Sequence, residues 1–131
     1  MNDHKLWKIF SEYIRLRDSN GHGYCKCFTC GSIRYWRDLD CGHGIGRQHL
    51  SVKYNEKNNH AQCKKCNGFE EGMKDVYRLK VEERYGEGTW DLLLIASKKP
   101  SRISQFEIVA MTSHYQKEVE KLKKQKELIR A

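Results

Sequence analysis

Four cysteines stand in two Cys-x-x-Cys pairs, Cys27/Cys30 and Cys63/Cys66. Paired thiolates at this spacing grip one side of a tetrahedral Zn²⁺ ion. Turn-tolerant residues follow each pair, Gly31 in one case and Asn67-Gly68 in the other, as a tight knuckle needs. The 32 residues between the pairs exceed an ordinary zinc-ribbon loop. Within that insert, and just after it, lie groups suited to hydrolysing a phosphodiester. Such chemistry needs a base for water, a cation for the developing charge and a grip on the substrate. His43 offers an imidazole that titrates near working pH. Asn67 offers a hard amide oxygen to a Mg²⁺-like ion. Arg47 offers a fork that pairs with phosphate. Asn58 can fix the loop facing His43 by hydrogen bonds.

Each residue also has a plainer reading. Gly42-His43 alone is ordinarily a turn followed by a surface histidine, and Asn67 can simply close its knuckle. The double-cysteine frame is what raises both. Lys64 and Lys65 join Arg47 as phosphate contacts. His60 is a spare metal ligand or a partner to one; His49 is a weaker spare. Asp40 is near, but strand alternation sends it to the face opposite His43. Cys25 also precedes Cys30 and can replace Cys27, in a poorer Cys-x4-Cys grip. Cys41 is the remaining thiol.

The elements that would position these groups are legible in outline. Leu6, Ile9, Phe10, Tyr13 and Ile14 fall at helical spacing over residues 5–17. Ser32–Trp36 and Leu39–His43 suggest a hairpin turning near Arg37-Asp38. Residues 44–62 are polar and look like loop. Beyond the second knuckle a helix extends or restarts through Val76–Tyr85 and stops at Gly86. Thr89 can cap a helix through Trp90–Ser97, ended by Lys98-Lys99-Pro100. Ser104 and Glu107 form a capping box for a last helix running to near residue 129. Its stripe of Tyr115, Val119, Leu122 and Ile129 can pack on the same chain or on a second copy.

At 131 residues the chain reads as a single domain: an N-terminal helix over 5–18, a core over 24–86 and C-terminal helices over 89–130. Apolar residues make up 38%, a modest supply for a core, so metal ligation would add stability that packing cannot. No apolar run reaches membrane-spanning length, and Met1-Asn2-Asp3-His4 has no signal-peptide character. A cytoplasmic setting with reduced, metal-bound thiols is therefore expected rather than disulfides. The net charge of +8 favours a polyanionic partner, although part of it sits in the Lys-rich C-terminal helix.

Strand, loop, strand, knuckle and helix, with His43 on the strand and Asn67 at the helix, resemble the HNH (ββα-metal) nucleases. Cys27/Cys30, His43, Asn58 and Cys63/Cys66 fall on the zinc-containing pattern. Gly42 departs from it where an Asp or His commonly precedes the catalytic His, and Asn67 stands in for a final His. The stretches Asp40–Arg47 and Tyr54–Asn67, with Tyr77, Leu79 and Arg84-Tyr85-Gly86 beyond, are similar to the lambdoid phage NinG (Rap) recombination family over residues 5–125. The resemblance implies an α+β fold with a small zinc-stabilised ββα-metal core and flanking helices. It implies a phage-encoded, metal-dependent endonuclease for branched DNA, such as Holliday junctions and D-loops, in a bacterial host. Zn²⁺ would be structural; Mg²⁺ or Mn²⁺ would be catalytic, held by Asn67. The competing readings are a non-catalytic, zinc-stabilised DNA-binding recombination accessory protein and a zinc module that forms a homodimer through its last helix.

Overall fold

The structure, a computed structural model, describes residues 2–126. Leu6, Phe10 and Ile14 recur every fourth residue and so share one face of α1 (His4–Arg17), where all three are fully buried. Asp3, just before α1, does not cap it; its carboxylate instead takes Lys53 Nζ and the Tyr54 hydroxyl, both at 2.7 Å. The face of α1 packs along α5 (Gln105–Gln125). Ile108 and Tyr115 of α5 complete a cluster with Leu6, Phe10, Ile14 and Cys41. The Ser104–Glu107 capping box that opens α5 is present in both directions. Tyr115 and Val119 are buried within the same chain, and Leu122 packs beside Leu16 and Trp36. This stripe is therefore spent inside the chain over its described part; Ile129 lies outside the described residues.

The strands pair differently from the expected hairpin. β1 (Tyr24–Lys26) pairs antiparallel with β2 (Ile33–Tyr35), with Tyr24 opposite Tyr35. The first knuckle is the turn between them, closed by Gly31 N–H on Cys27 O at 2.9 Å and by Cys27 N–H on Ser32 O at 2.8 Å. With β2 already paired, β3 (Asp40–His43) takes a partner from farther along the chain. That partner is β4 (Asn59–Gln62), with Asp40 opposite Gln62 and His43 opposite Asn59. The segment expected to be loop thus contains β4, and also a short helix, α2 (Leu50–Lys53). Asn-His-Ala-Gln lacks strand-forming side chains and shows no alternation, because all four residues are buried.

After the second knuckle the chain makes one π-helical turn over Lys65–Phe69, which holds Asn67, and then restarts. It passes through left-handed Glu71 (φ 53°), Gly72 (φ 87°) and Met73 (φ 52°) before α3 (Lys74–Tyr85). α3 ends on Gly86 at φ 111°, as expected. α4 (Thr89–Ser97) is preceded by Gly88, and Thr89 fills its first position rather than capping it. The Thr89 hydroxyl donates to Gly86 O at 2.8 Å. Helices therefore flank two small antiparallel sheets, an α+β arrangement. Among the described residues no helix is long and apolar enough to cross a membrane.

Candidate metal centre and basic trough

The two knuckles converge. The sulfurs of Cys27, Cys30, Cys63 and Cys66 all lie within 4.8 Å of one another, and those of Cys30 and Cys63 are 3.8 Å apart. Zinc–sulfur bonds of about 2.3 Å at tetrahedral angles place sulfurs about 3.8 Å apart, so four soft donors here fit Zn²⁺. Burial opposes a charged Cys27 thiol, but backbone N–H groups and the Thr29 hydroxyl outweigh it and bring its pKa down to about 6. The Ser32 hydroxyl lies 3.1 Å from Cys30 Sγ. Cys25 is not part of this group; it sits on β1, where burial pushes its thiol up to about 11. Cys41 is also apart, and burial pushes it up to about 12.

β3 and β4 run from this centre to the end of His43. A Cβ added to Gly42 would fall 1.8 Å from Gln62 Oε1, so the residue before His43 has no room for a side chain. Gln62 is fully buried and ties the sheet to the first knuckle and to the left-handed turn before α3. Its Nε2 donates to Thr29 Oγ1 at 3.1 Å and to Gly72 O at 3.0 Å. The Tyr77 hydroxyl, also buried, lies 2.9 Å from Gly42 O, 3.2 Å from Asn58 O and 3.0 Å from His60 Nδ1. One hydroxyl proton serves the two carbonyls, so His60 Nδ1–H donates to Tyr77, and His60 Nε2 accepts from Tyr85 Oη at 2.8 Å.

His60 is consequently no metal ligand here. Both its ring nitrogens are taken, and its ring stacks on Phe28 at 3.8 Å. Burial, with Arg17 and Arg84 nearby, lowers its pKa to about 3. Asn58 does hold the loop after His43. Its Nδ2 donates to Ile45 O (3.0 Å) and Val52 O (3.2 Å), and its Oδ1 accepts from Ile45 N–H at 2.8 Å. It is fully buried and does not line the cavity beside His43, so its contacts are with backbone rather than with that cavity.

That cavity is a trough of about 380 Å³ along β3, walled on one side by α1. His43, Asn67, Arg47 and Lys64 line it together, as the sequence suggested. Asp40 lines it as well, contrary to the alternation rule. Alternation sorts side chains by face within the strand, but Asp40 is drawn to the trough by Lys64 and Asn67, which follow β4 and line it too. The Asp40 carboxylate accepts from Lys64 Nζ at 2.7 Å and from Asn67 Nδ2 at 3.1 Å. His43 Nδ1 is buried and has no partner among the described residues. Burial, then the charges of Lys74 and Arg47, lowers the His43 pKa to about 4, so the ring is neutral near pH 7. Arg47 lies over the Trp7 ring at 4.8 Å.

Two further cations, Arg15 and Arg37, line the trough without any signal in the sequence. Arg15 comes from α1, some twenty-eight residues before His43, and only packing brings it there. Lys65 is exposed on the π-turn and does not line the trough; His49 precedes α2 and does not line it either. A larger hollow, about 600 Å³, lies beside the first knuckle. Its Asp18 and Arg84 already pair at 2.7 Å, so the smaller trough is chemically the better equipped.

A family model described as Bacteriophage Lambda NinG protein matches residues 2–127, nearly the whole chain. The chain belongs to the NinG family. No curated protein and no solved structure matches it. NinG is a phage recombination family, and in this member the matched region takes in both knuckles, the trough and the α1–α5 pair that backs it.

Proposed function

We propose that this NinG-family chain is a metal-dependent DNA endonuclease of the HNH type, acting on branched recombination intermediates in the host cytoplasm. The observation that supports the reading is the shared trough, with a neutral imidazole (His43), a hard-oxygen pair (Asn67 and Asp40) and a free guanidinium (Arg47). In the proposed reaction water attacks phosphorus in line, His43 takes the water's proton, and the bond from phosphorus to the 3′-oxygen breaks. A Mg²⁺ or Mn²⁺ ion, when bound, supplies Lewis-acid stabilisation of the leaving oxygen. The Asn67 amide oxygen and the Asp40 carboxylate are the groups that would hold it. Arg47 binds the phosphate, and Asn58 and Tyr77 keep the His43 end of β3 fixed through backbone carbonyls and amides. The branched preference rests on the family alone.

The same cations support a second reading, a zinc-stabilised DNA-binding accessory without hydrolysis. Incubating zinc-loaded protein with linear and four-way DNA in Mg²⁺ or Mn²⁺ separates the two. Endonuclease activity is expected, lowered about 10²- to 10⁴-fold by His43→Ala. Binding without product in either metal establishes the accessory reading, and a His43→Ala protein that cuts at the wild-type rate removes His43 as the base.

A further inference from the structure

We infer that Arg15 and Arg37, both stacked on Trp36, form a second phosphate seat in the trough, for a DNA backbone phosphodiester beside the one bound at Arg47. The identity of the polyanion rests on the DNA-cleaving reading above. Charge is the first support. The trough's wall carries Arg15, Arg37, Arg47 and Lys64 against one carboxylate, Asp40, which accepts from Lys64 and Asn67. Such an excess selects an anion, and more than one negative charge.

The second support is how the arginines are held. None of the three forms an ion pair among the described residues. Aromatic faces anchor them instead: Arg37 lies 4.6 Å and Arg15 5.2 Å from the Trp36 ring centre, and Arg47 lies over Trp7. Stacking orients a guanidinium without consuming its charge, so the N–H groups that make no other bond stay available to phosphate oxygens. Arg15 is further pinned by Nε on Ser11 O at 3.1 Å and Nη1 on Trp36 O at 3.2 Å.

Position supplies the third support. Arg37 precedes β3 and Arg47 follows it. The four residues of β3 span about 13 Å at the usual rise per residue, more than one phosphate group bridges. Two seats along one backbone suit this layout better than one clamp.

The test uses the zinc-loaded full chain, without added Mg²⁺ or Mn²⁺, binding fluorescein-labelled duplex and four-way DNA across a salt series by anisotropy. Arg37 is exposed, so Arg37→Ala should fold; a thermal melt checks this. Losing one phosphate contact should weaken binding and reduce the log–log salt slope by about 0.9. Arg37→Lys should keep the slope and recover part of the affinity. Lys98→Ala, an exposed cation outside the trough, should change neither. An unchanged slope in Arg37→Ala, or an equal loss in Lys98→Ala, overturns the seat. If His43→Ala still cleaves while Arg37→Ala loses slope, the catalytic assignment fails and the seat stands; cleavage that needs His43 with an unchanged Arg37→Ala slope removes the seat alone.

Discussion

Gly42→Ala sets a methyl carbon where Gln62 already stands. The added Cβ would lie 1.8 Å from Gln62 Oε1, 2.6 Å from Cδ and 2.9 Å from Cγ, too close for either group to remain. Gln62 must leave its place, and with it go the hydrogen bonds to Thr29 Oγ1 and Gly72 O. Each such bond contributes about 1 kcal/mol, and a buried carbonyl left without a partner costs about 1–3 kcal/mol. Alanine returns roughly 0.5–1 kcal/mol through its smaller entropy loss in a strand. The net expectation is a loss of about 3 kcal/mol, which lowers Tm by roughly 10 °C in a domain of this size. Thermal and urea unfolding of the zinc-loaded protein measure it. Combining Gly42→Ala with Gln62→Ala removes the clash, so the double variant should be more stable than the sum of the two single changes by about 1–3 kcal/mol. Strict additivity, or a Gly42→Ala protein with wild-type Tm, refutes the claim that Gln62 is what keeps position 42 a glycine.

Three other outcomes follow from the same geometry. Metal analysis should find one Zn²⁺ per chain, and Cys27→Ala should lose both the zinc and the cooperative melt. The reason is that structural zinc contributes about 10–16 kcal/mol, as much as a whole domain's net stability of about 5–15 kcal/mol. Acid should destabilise the fold partly through His60, whose pKa of about 3 lies below its ordinary 6.5. The unfolded chain then binds a proton that the folded one refuses, so stability is complete above about pH 6.5 and falls as pH drops toward 3. His60→Gln should make the slope of stability against pH shallower by about 1.4 kcal/mol per unit near pH 5; equal slopes would remove His60 as the cause. Tyr77→Phe deletes the hydroxyl shared by Gly42 O, Asn58 O and His60 Nδ1, and should cost about 2–3 kcal/mol in urea unfolding. A neutral result there would mean that the strand end is held by other contacts.

Metal-ligand spacing is local information, and it was legible. Two residues between cysteines set the bite of a thiolate pair whatever the rest of the chain does, so Cys27, Cys30, Cys63 and Cys66 could be chosen over Cys25 and Cys41. Helix spacing and capping are local as well, which is why α1, the stop at Gly86 and the Ser104–Glu107 box agree with the sequence. Strand pairing is not. Nothing near residue 40 says that its partner is 59–62 rather than 33–35, since the choice depends on which edge the first knuckle has already closed.

The sequence by itself determined the zinc-type ligand set, the helices α1, α3, α4 and α5, the basic balance and the family. It also named His43, Arg47, Lys64 and Asn67, which do meet in one trough. Tertiary structure decided the rest. It moved His60 from candidate ligand to a core residue between two tyrosines, and brought Asp40 and Arg15 to the trough. It also put Gln62 where a side chain at 42 would go. The physical reason is that burial, desolvation and steric exclusion belong to groups far apart in the chain, and they have no value until packing puts those groups within a few ångströms of one another.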